Sequence, residues 1–152
     1  MNTAAAGGDA ASPLHYRVNA RATHGGNAEV TVAQTVVPLD AGWATPATGA
    51  PGPADLLGSA FAACLLKNLA RSGALLGFEY DDAELLVVLH RQDAPPRFTR
   101  VEYDLRVGTE EPERRVELVH ANLRKFGTVY NTLAAVCEVH GTVTAVPPTW
   151  KK

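Results

Sequence analysis

The stretch Gly52-Pro53-Ala54-Asp55-Leu56-Leu57-Gly58-Ser59-Ala60-Phe61-Ala62-Ala63-Cys64-Leu65-Leu66-Lys67-Asn68-Leu69 is the longest near-continuous apolar run of the chain and carries one of its two cysteines. Pro53 suits a first helical position, where its missing N–H is not needed, and Gly73 suits the left-handed residue just past a helix end. The two predict a helix of roughly 20 residues between them. From Leu56 to Leu66 it is apolar almost all round, and a helix without a wide polar face is buried centrally, which places Cys64 deep. Asp55 and Lys67 bracket the run and leave it too short for a membrane span, which needs ~20 uncharged apolar residues.

Composition bounds the surroundings of this helix. At 152 residues and 46% apolar content the chain can bury one real core, so a single domain over residues 13–152 is expected. The Ala/Gly-rich residues 1–12, without the basic start and apolar centre of a signal peptide, are expected to be a disordered leader. A net charge of -2, with no basic cluster longer than Arg114-Arg115, argues against nucleic acid and against an anionic membrane surface as partners. Two distant cysteines without a CxxC or Cys/His spacing argue against zinc and against a stapled secreted domain, and favour the reducing cytoplasm.

Periodicity supplies the remaining elements. Tyr16, Val18, Ala20 and Ala22 alternate with Arg17, Asn19 and Arg21, the His24-Gly25-Gly26-Asn27 stretch turns the chain, and Glu29 to Val37 returns as a second strand. Pro38 to Pro51, rich in proline and glycine around Trp43, reads as an ordered loop or interface arm. Glu84 to Arg91 reads as a strand, Ala94-Pro95-Pro96-Arg97 breaks it, and Phe98 to Val107 alternates again. On that strand Thr99, Val101, Tyr103, Leu105 and Val107 share one face, with Arg100, Glu102, Asp104 and Arg106 on the other. Pro112 opens a second helix, ending near Gly127, whose apolar stripe is Val116, Val119, Leu123 and Phe126. Thr128 to Ala134 is a short helical turn, and Val136 to Val146 a last strand with Cys137, Val139 and Val143 on one face. Two strands, helix, two strands, helix, strand predict an α+β fold with helices on one side of an antiparallel sheet.

These patterns alone leave the chemistry open. A cysteine inside an apolar helix packs as a small hydrophobe as readily as it reacts, and strand alternation assigns Cys137 to a core face. The histidines at 15, 24, 90, 120 and 140 have no metal-ligand spacing, and the chain has no GxSxG, Walker, dinucleotide or HExxH motif to imply a cofactor.

The segment from Gly52 to Cys64 resembles the helix motif N-P-E-x-L-x-x-A-x-x-A-x-C of the OsmC/Ohr family, the osmotically inducible and organic-hydroperoxide-resistance proteins. Lys125-Phe126-Gly127-Thr128-Val129-Tyr130-Asn131-Thr132-Leu133 resembles that family's second-cysteine region, K-Y-C-P-V-S-x-x-L, and the likeness runs from about Tyr16 to Val146. The resemblance implies an intertwined α+β homodimer, in which an antiparallel sheet wraps around buried central helices and two sites lie at the subunit interface. It implies a helix cysteine that attacks a hydroperoxide and a second cysteine that resolves the sulfenic acid.

This chain departs from that pattern in three places. Gly127 stands at the second cysteine's position, and Cys137 is not its equivalent, so no Cys64–Cys137 disulfide is expected. Ala54 stands at the helix-start glutamate, with Asp55 beside it. No lysine or arginine lies between Arg21 and Lys67, which leaves Arg21 or Arg17 as the candidate active-site arginine. Two functions follow. One is a thiol-dependent peroxidase for organic hydroperoxides, with Cys64 as nucleophile, Arg21 as the thiolate's cation, Asp55 holding that arginine, and an external thiol as reductant. The other is a non-catalytic member that binds a small apolar ligand at the dimer seam, with Cys64 as core packing.

Overall fold

A computed structural model describes residues 13–43 and 48–148. The leader expected over residues 1–12, and residues 44–47 of the loop around Trp43, lie outside them. The chain falls into two compact units that meet in sequence at Gly52 and Pro53.

The N-terminal unit is a three-stranded antiparallel meander: β1 (Val18–Ala22), β2 (Ala28–Val32) and β3 (Thr35–Leu39). The first turn falls at His24 to Asn27 as expected, and Val18 pairs with Val32 at the far end of the hairpin. The single strand expected from Glu29 to Val37 is instead two, because the chain reverses at Ala33 and Gln34 and pairs Val32 with Thr35. Ala33 takes a positive φ of 51° there, a conformation usually left to glycine or asparagine, so its sequence carries no turn signal. Trp43, beyond β3, is 94% exposed.

The C-terminal unit is built on α1 (Pro53–Leu76), 24 residues long. It starts at Pro53 as expected but runs past Gly73, and the left-handed residue that ends it is Gly77, with φ 59°. Gly73 lies inside the helix because the chain folds back over it: a Cβ there would stand 3.3 Å from Phe78 O and 3.4 Å from a Tyr80 ring carbon. Arg115 closes the helix end by donating to Leu76 O and Gly77 O at 2.9 and 3.0 Å.

β4 (Asp82–Asp93) and β5 (Pro96–Gly108) form a long antiparallel hairpin. Next come α2 (Glu113–Phe126), α3 (Thr128–Ala134) and β6 (Glu138–Val146). The wholly antiparallel sheet expected from the element order is corrected here: the order is β4-β5-β6, and β6 runs parallel to β5. Parallel neighbours need a crossover of a dozen or more residues, and α2 with α3 supplies it. Residue alternation reports which face a side chain takes and is silent on strand direction, so this was invisible to periodicity.

Phe61, Leu65 and Leu69 of α1 pack with Val101, Tyr103, Leu105 and Val107 of β5 and Val116, Val119 and Leu123 of α2 in one core. Two expectations change. Only the stripe Phe61, Leu65, Leu69, Ser72 of α1 is buried in the single chain; Leu66 and Leu75 remain 41% and 61% exposed, and Cys64 is half-buried rather than deep. Phe126 is not part of the α2 stripe that enters the core: it is 42% exposed and lies under the Arg71 guanidinium, 4.3 Å from its ring centre. None of the described helices is long and apolar enough to cross a membrane.

Candidate active site

Cys64 lies three turns into α1, half-buried and packed against the edge of the core. Its sulfur faces the corner where α2 passes into α3. Gly127 is that corner, with φ -75° and ψ 109°, a conformation open to any residue. Glycine is required there by proximity: an added Cβ would lie 2.8 Å from Leu123 O, 2.8 Å from Tyr130 Cβ and 3.2 Å from Cys64 Sγ. The position matched by motif to the second cysteine is therefore in contact with the first cysteine's sulfur, and it is closed to a side chain.

A side-chain amide lies against the sulfur. The amide nitrogen of Asn68, one turn further along α1, donates to Cys64 O at 2.9 Å and lies 3.7 Å from Cys64 Sγ. Sequence reasoning passed over Asn68, although the i, i+4 spacing that stacks it on Cys64 was available to signal it.

An aromatic wall stands beside this corner. Tyr130, whose Cβ abuts Gly127, stacks on Phe61 with ring centres 5.8 Å apart, and both rings meet Tyr103. Burial holds the Tyr103 phenol protonated by raising its pKa far above the ordinary tyrosine value, with Tyr130 adding to the shift. Burial first, then the nearby Arg124 charge, push His120 below its ordinary value and favour the neutral ring. The 2.6 Å contact between Tyr103 Oη and His120 Nε2 thus joins a neutral phenol to an imidazole whose neutral form is favoured, and the tautomer of the ring sets which of the two donates.

The other residues singled out by sequence are on β1, in the first turn of α1 and just before β6. Arg21 is on β1 in the N-terminal unit, 82% exposed, with its Nε 2.6 Å from Oε1 of Glu29, its cross-strand neighbour. Its terminal Nη groups have no partner among the described residues. Asp55 occupies the first turn of α1. It is nine residues before Cys64, which on an α-helix is about 13 Å along the axis and on the opposite side. Cys137 comes just before β6 and packs on the core as expected; its S–H donates to Phe98 O at 3.3 Å, and both cysteines are free. A cavity of about 630 Å³ opens beside Cys137, not Cys64, and its lining mixes Arg97 and Arg100 with Glu138 and His90. No His/Cys/Asp/Glu group among the described residues has the arrangement to hold a metal.

Comparison with known proteins accords with this arrangement. The family described as OsmC-like protein matches residues 46–140, more than half of the chain. An OsmC-like protein from Mycoplasma pneumoniae superposes with a TM-score of 0.79 at 18% identity, over 89% of this chain and 99% of that one. An organic hydroperoxide resistance protein OsmC from Legionella pneumophila gives 0.68 at 20% identity, over 88% and 99%. The organic hydroperoxide resistance protein OhrB of Bacillus subtilis gives 0.65 at 16%, over 86% and 98%. At these identities the likeness to each structure is one of fold. No curated protein sequence matches significantly. With Cys64 and Gly127 meeting where the two family motifs meet, and with the family match spanning both, the chain belongs to the OsmC-like protein family.

Proposed function

We propose that this chain is a thiol-dependent peroxidase that reduces organic hydroperoxides in the reducing cytoplasm, as part of a response to oxidative stress. The observation that carries the reading is the free, half-buried sulfur of Cys64, kept at the position of the family's helix cysteine. In the proposed cycle the Cys64 thiolate attacks the outer oxygen of ROOH and the O–O bond breaks. The oxygen transferred leaves Cys64 as a sulfenic acid, and the alkoxide takes a proton to become ROH. An external thiol then attacks the sulfenic sulfur, releasing water and forming a mixed disulfide. A second external thiol displaces Cys64 as its thiolate and leaves as the oxidised disulfide. The leucine, alanine and phenylalanine side chains of α1 favour apolar oxidants over hydrogen peroxide.

Arg21 and Asp55 complete the proposal: the Nη donors of Arg21 stabilise the thiolate and Asp55 orients the guanidinium. A homodimer is the proposed working form, because α1 leaves Leu66 and Leu75 exposed and Trp43 is uncovered. A permanent interface of this kind buries about 2,000 Å² or more, and sedimentation of a dilute sample should show a dimer.

Rapid-mixing capture of the sulfenic acid tests the reading. Cumyl or tert-butyl hydroperoxide should oxidise Cys64 faster than hydrogen peroxide, turnover should need a low-molecular-weight thiol, and Arg21→Ala should slow the first step. Equal, slow oxidation by both peroxides, indifferent to Arg21→Ala, would transfer support to a second reading. That reading is a non-catalytic OsmC-like protein that binds a small apolar ligand at the dimer seam, and Gly127 favours it because the intramolecular disulfide step is missing.

A further inference from the structure

We infer that Asn68 is a positioning residue for the Cys64 sulfur, donating an amide hydrogen that would stabilise the thiolate when it forms. The inference rests on the peroxidase reading only for its use in turnover. An asparagine amide nitrogen carries two hydrogens. One is committed to Cys64 O at 2.9 Å, and the same nitrogen stands 3.7 Å from Cys64 Sγ, a length suited to the larger sulfur atom. A donor directed at sulfur favours the anion over the thiol, and a bond to a charged acceptor is roughly twice as strong as one between neutral groups.

The next turn of the same helix separates this role from plain backbone satisfaction. Ser72, 1% exposed, donates its hydroxyl to Asn68 O at 3.0 Å, so a single hydrogen satisfies a carbonyl on this face of α1. Asparagine is a weaker helix former than serine's aliphatic alternatives and competes with the helix for its own backbone. What it adds over serine at position 68 is the second hydrogen, and that hydrogen has Cys64 Sγ in reach.

Other charged and titratable groups belong to the elements packed here. They are Asp55, Lys67 and Arg71 on α1, Glu113, Arg114, Arg115, Glu117, His120, Arg124 and Lys125 on α2, and Tyr130 on α3. On β4 they are Asp82, Glu84, His90, Arg91 and Asp93. The test therefore changes Asn68 alone, in a Cys137→Ser background with one remaining thiol, and follows the rate of alkylation by iodoacetamide against pH. Asn68→Ser keeps a donor for Cys64 O, as Ser72 does for Asn68 O, and has none left for the sulfur. It should react about threefold to tenfold more slowly at neutral pH, converging on the parent rate at high pH where every variant is thiolate. Asn68→Asp, which brings an anion, should be slower still. Thiolate ultraviolet absorbance against pH, measured on the same folded proteins, should shift in parallel. Profiles that superpose on the parent for both variants overturn the inference and leave Asn68 as a helix residue. If the profiles shift while no hydroperoxide is consumed, the peroxidase reading fails and the assignment of Asn68 stands.

Discussion

The two cysteines are both free and both half-buried, yet their hydrogen bonds run in opposite directions. Cys137 is a donor: its S–H points at Phe98 O, so its neighbourhood is satisfied only while it keeps its proton. Cys64 is an acceptor: the amide nitrogen of Asn68 lies 3.7 Å from its sulfur, a donor that keeps its acceptor whether or not the sulfur carries a proton. On the inference drawn for Asn68, the direction of these hydrogen bonds is what separates the two sulfurs, since half-burial and the lack of a disulfide are common to both.

The most drastic test of that contrast is replacement of each sulfur. Cys64→Ser should abolish hydroperoxide consumption and sulfenic acid formation, and Cys137→Ser should leave both unchanged, as measured by peroxide loss and mass spectrometry of the oxidised chain. A Cys64–Cys137 crosslink after peroxide treatment would erase the distinction. Next in size is Gly127→Ala, whose methyl group would meet Leu123 O, Tyr130 Cβ and the Cys64 sulfur. It should cost about 1–3 kcal/mol in urea denaturation, the usual range for overpacking, and should alter alkylation of Cys64 while leaving that of Cys137 alone. Cys137→Val removes one weak donor and should cost about 1 kcal/mol or less in the same assay.

The last signal is a slope against pH rather than a step, and it belongs to the wall beside Cys64. His120 binds its proton less readily folded than unfolded, so the unfolded chain takes up that proton first as pH falls through about 6.5. Stability from this group is complete above that value and declines below it. His120→Gln, whose amide can donate to or accept from Tyr103, should flatten the decline in the melting temperature.

Much of this was legible in the order of residues. The strict alternation from Thr99 to Val107 gave the inner face of β5, and Pro112 and Gly127 bounded α2 within a residue. The end of α1 was misplaced because a glycine admitted for close packing, Gly73, looks the same in sequence as one admitted for its positive φ, Gly77. The Ala33 reversal was hidden because an alanine there bears a backbone conformation that its side chain does not advertise. At the site, Cys64 and Gly127 were found through their motifs. Asn68 was missed because neither motif includes it, although the stacking of residues four apart sets it on the sulfur.

The tight corner at Gly127 also bears on which sequences this fold can reach by single changes. A chain that keeps this packing gains no two-cysteine cycle from Gly127→Cys alone, because the new Cβ would stand 2.8 Å from the backbone oxygen of Leu123 as well as from Tyr130 Cβ. A backbone atom is not relieved by trimming a neighbouring side chain, so the substitution has to wait for a shift of the α2–α3 corner itself. Until such a shift occurs, every intermediate on that route carries the overpacking penalty of about 1–3 kcal/mol with no disulfide in return. On the proposed cycle, dependence on a thiol from outside is thus held in place by sterics, and single changes would more readily refine how that thiol reaches Cys64 than restore a partner within the chain.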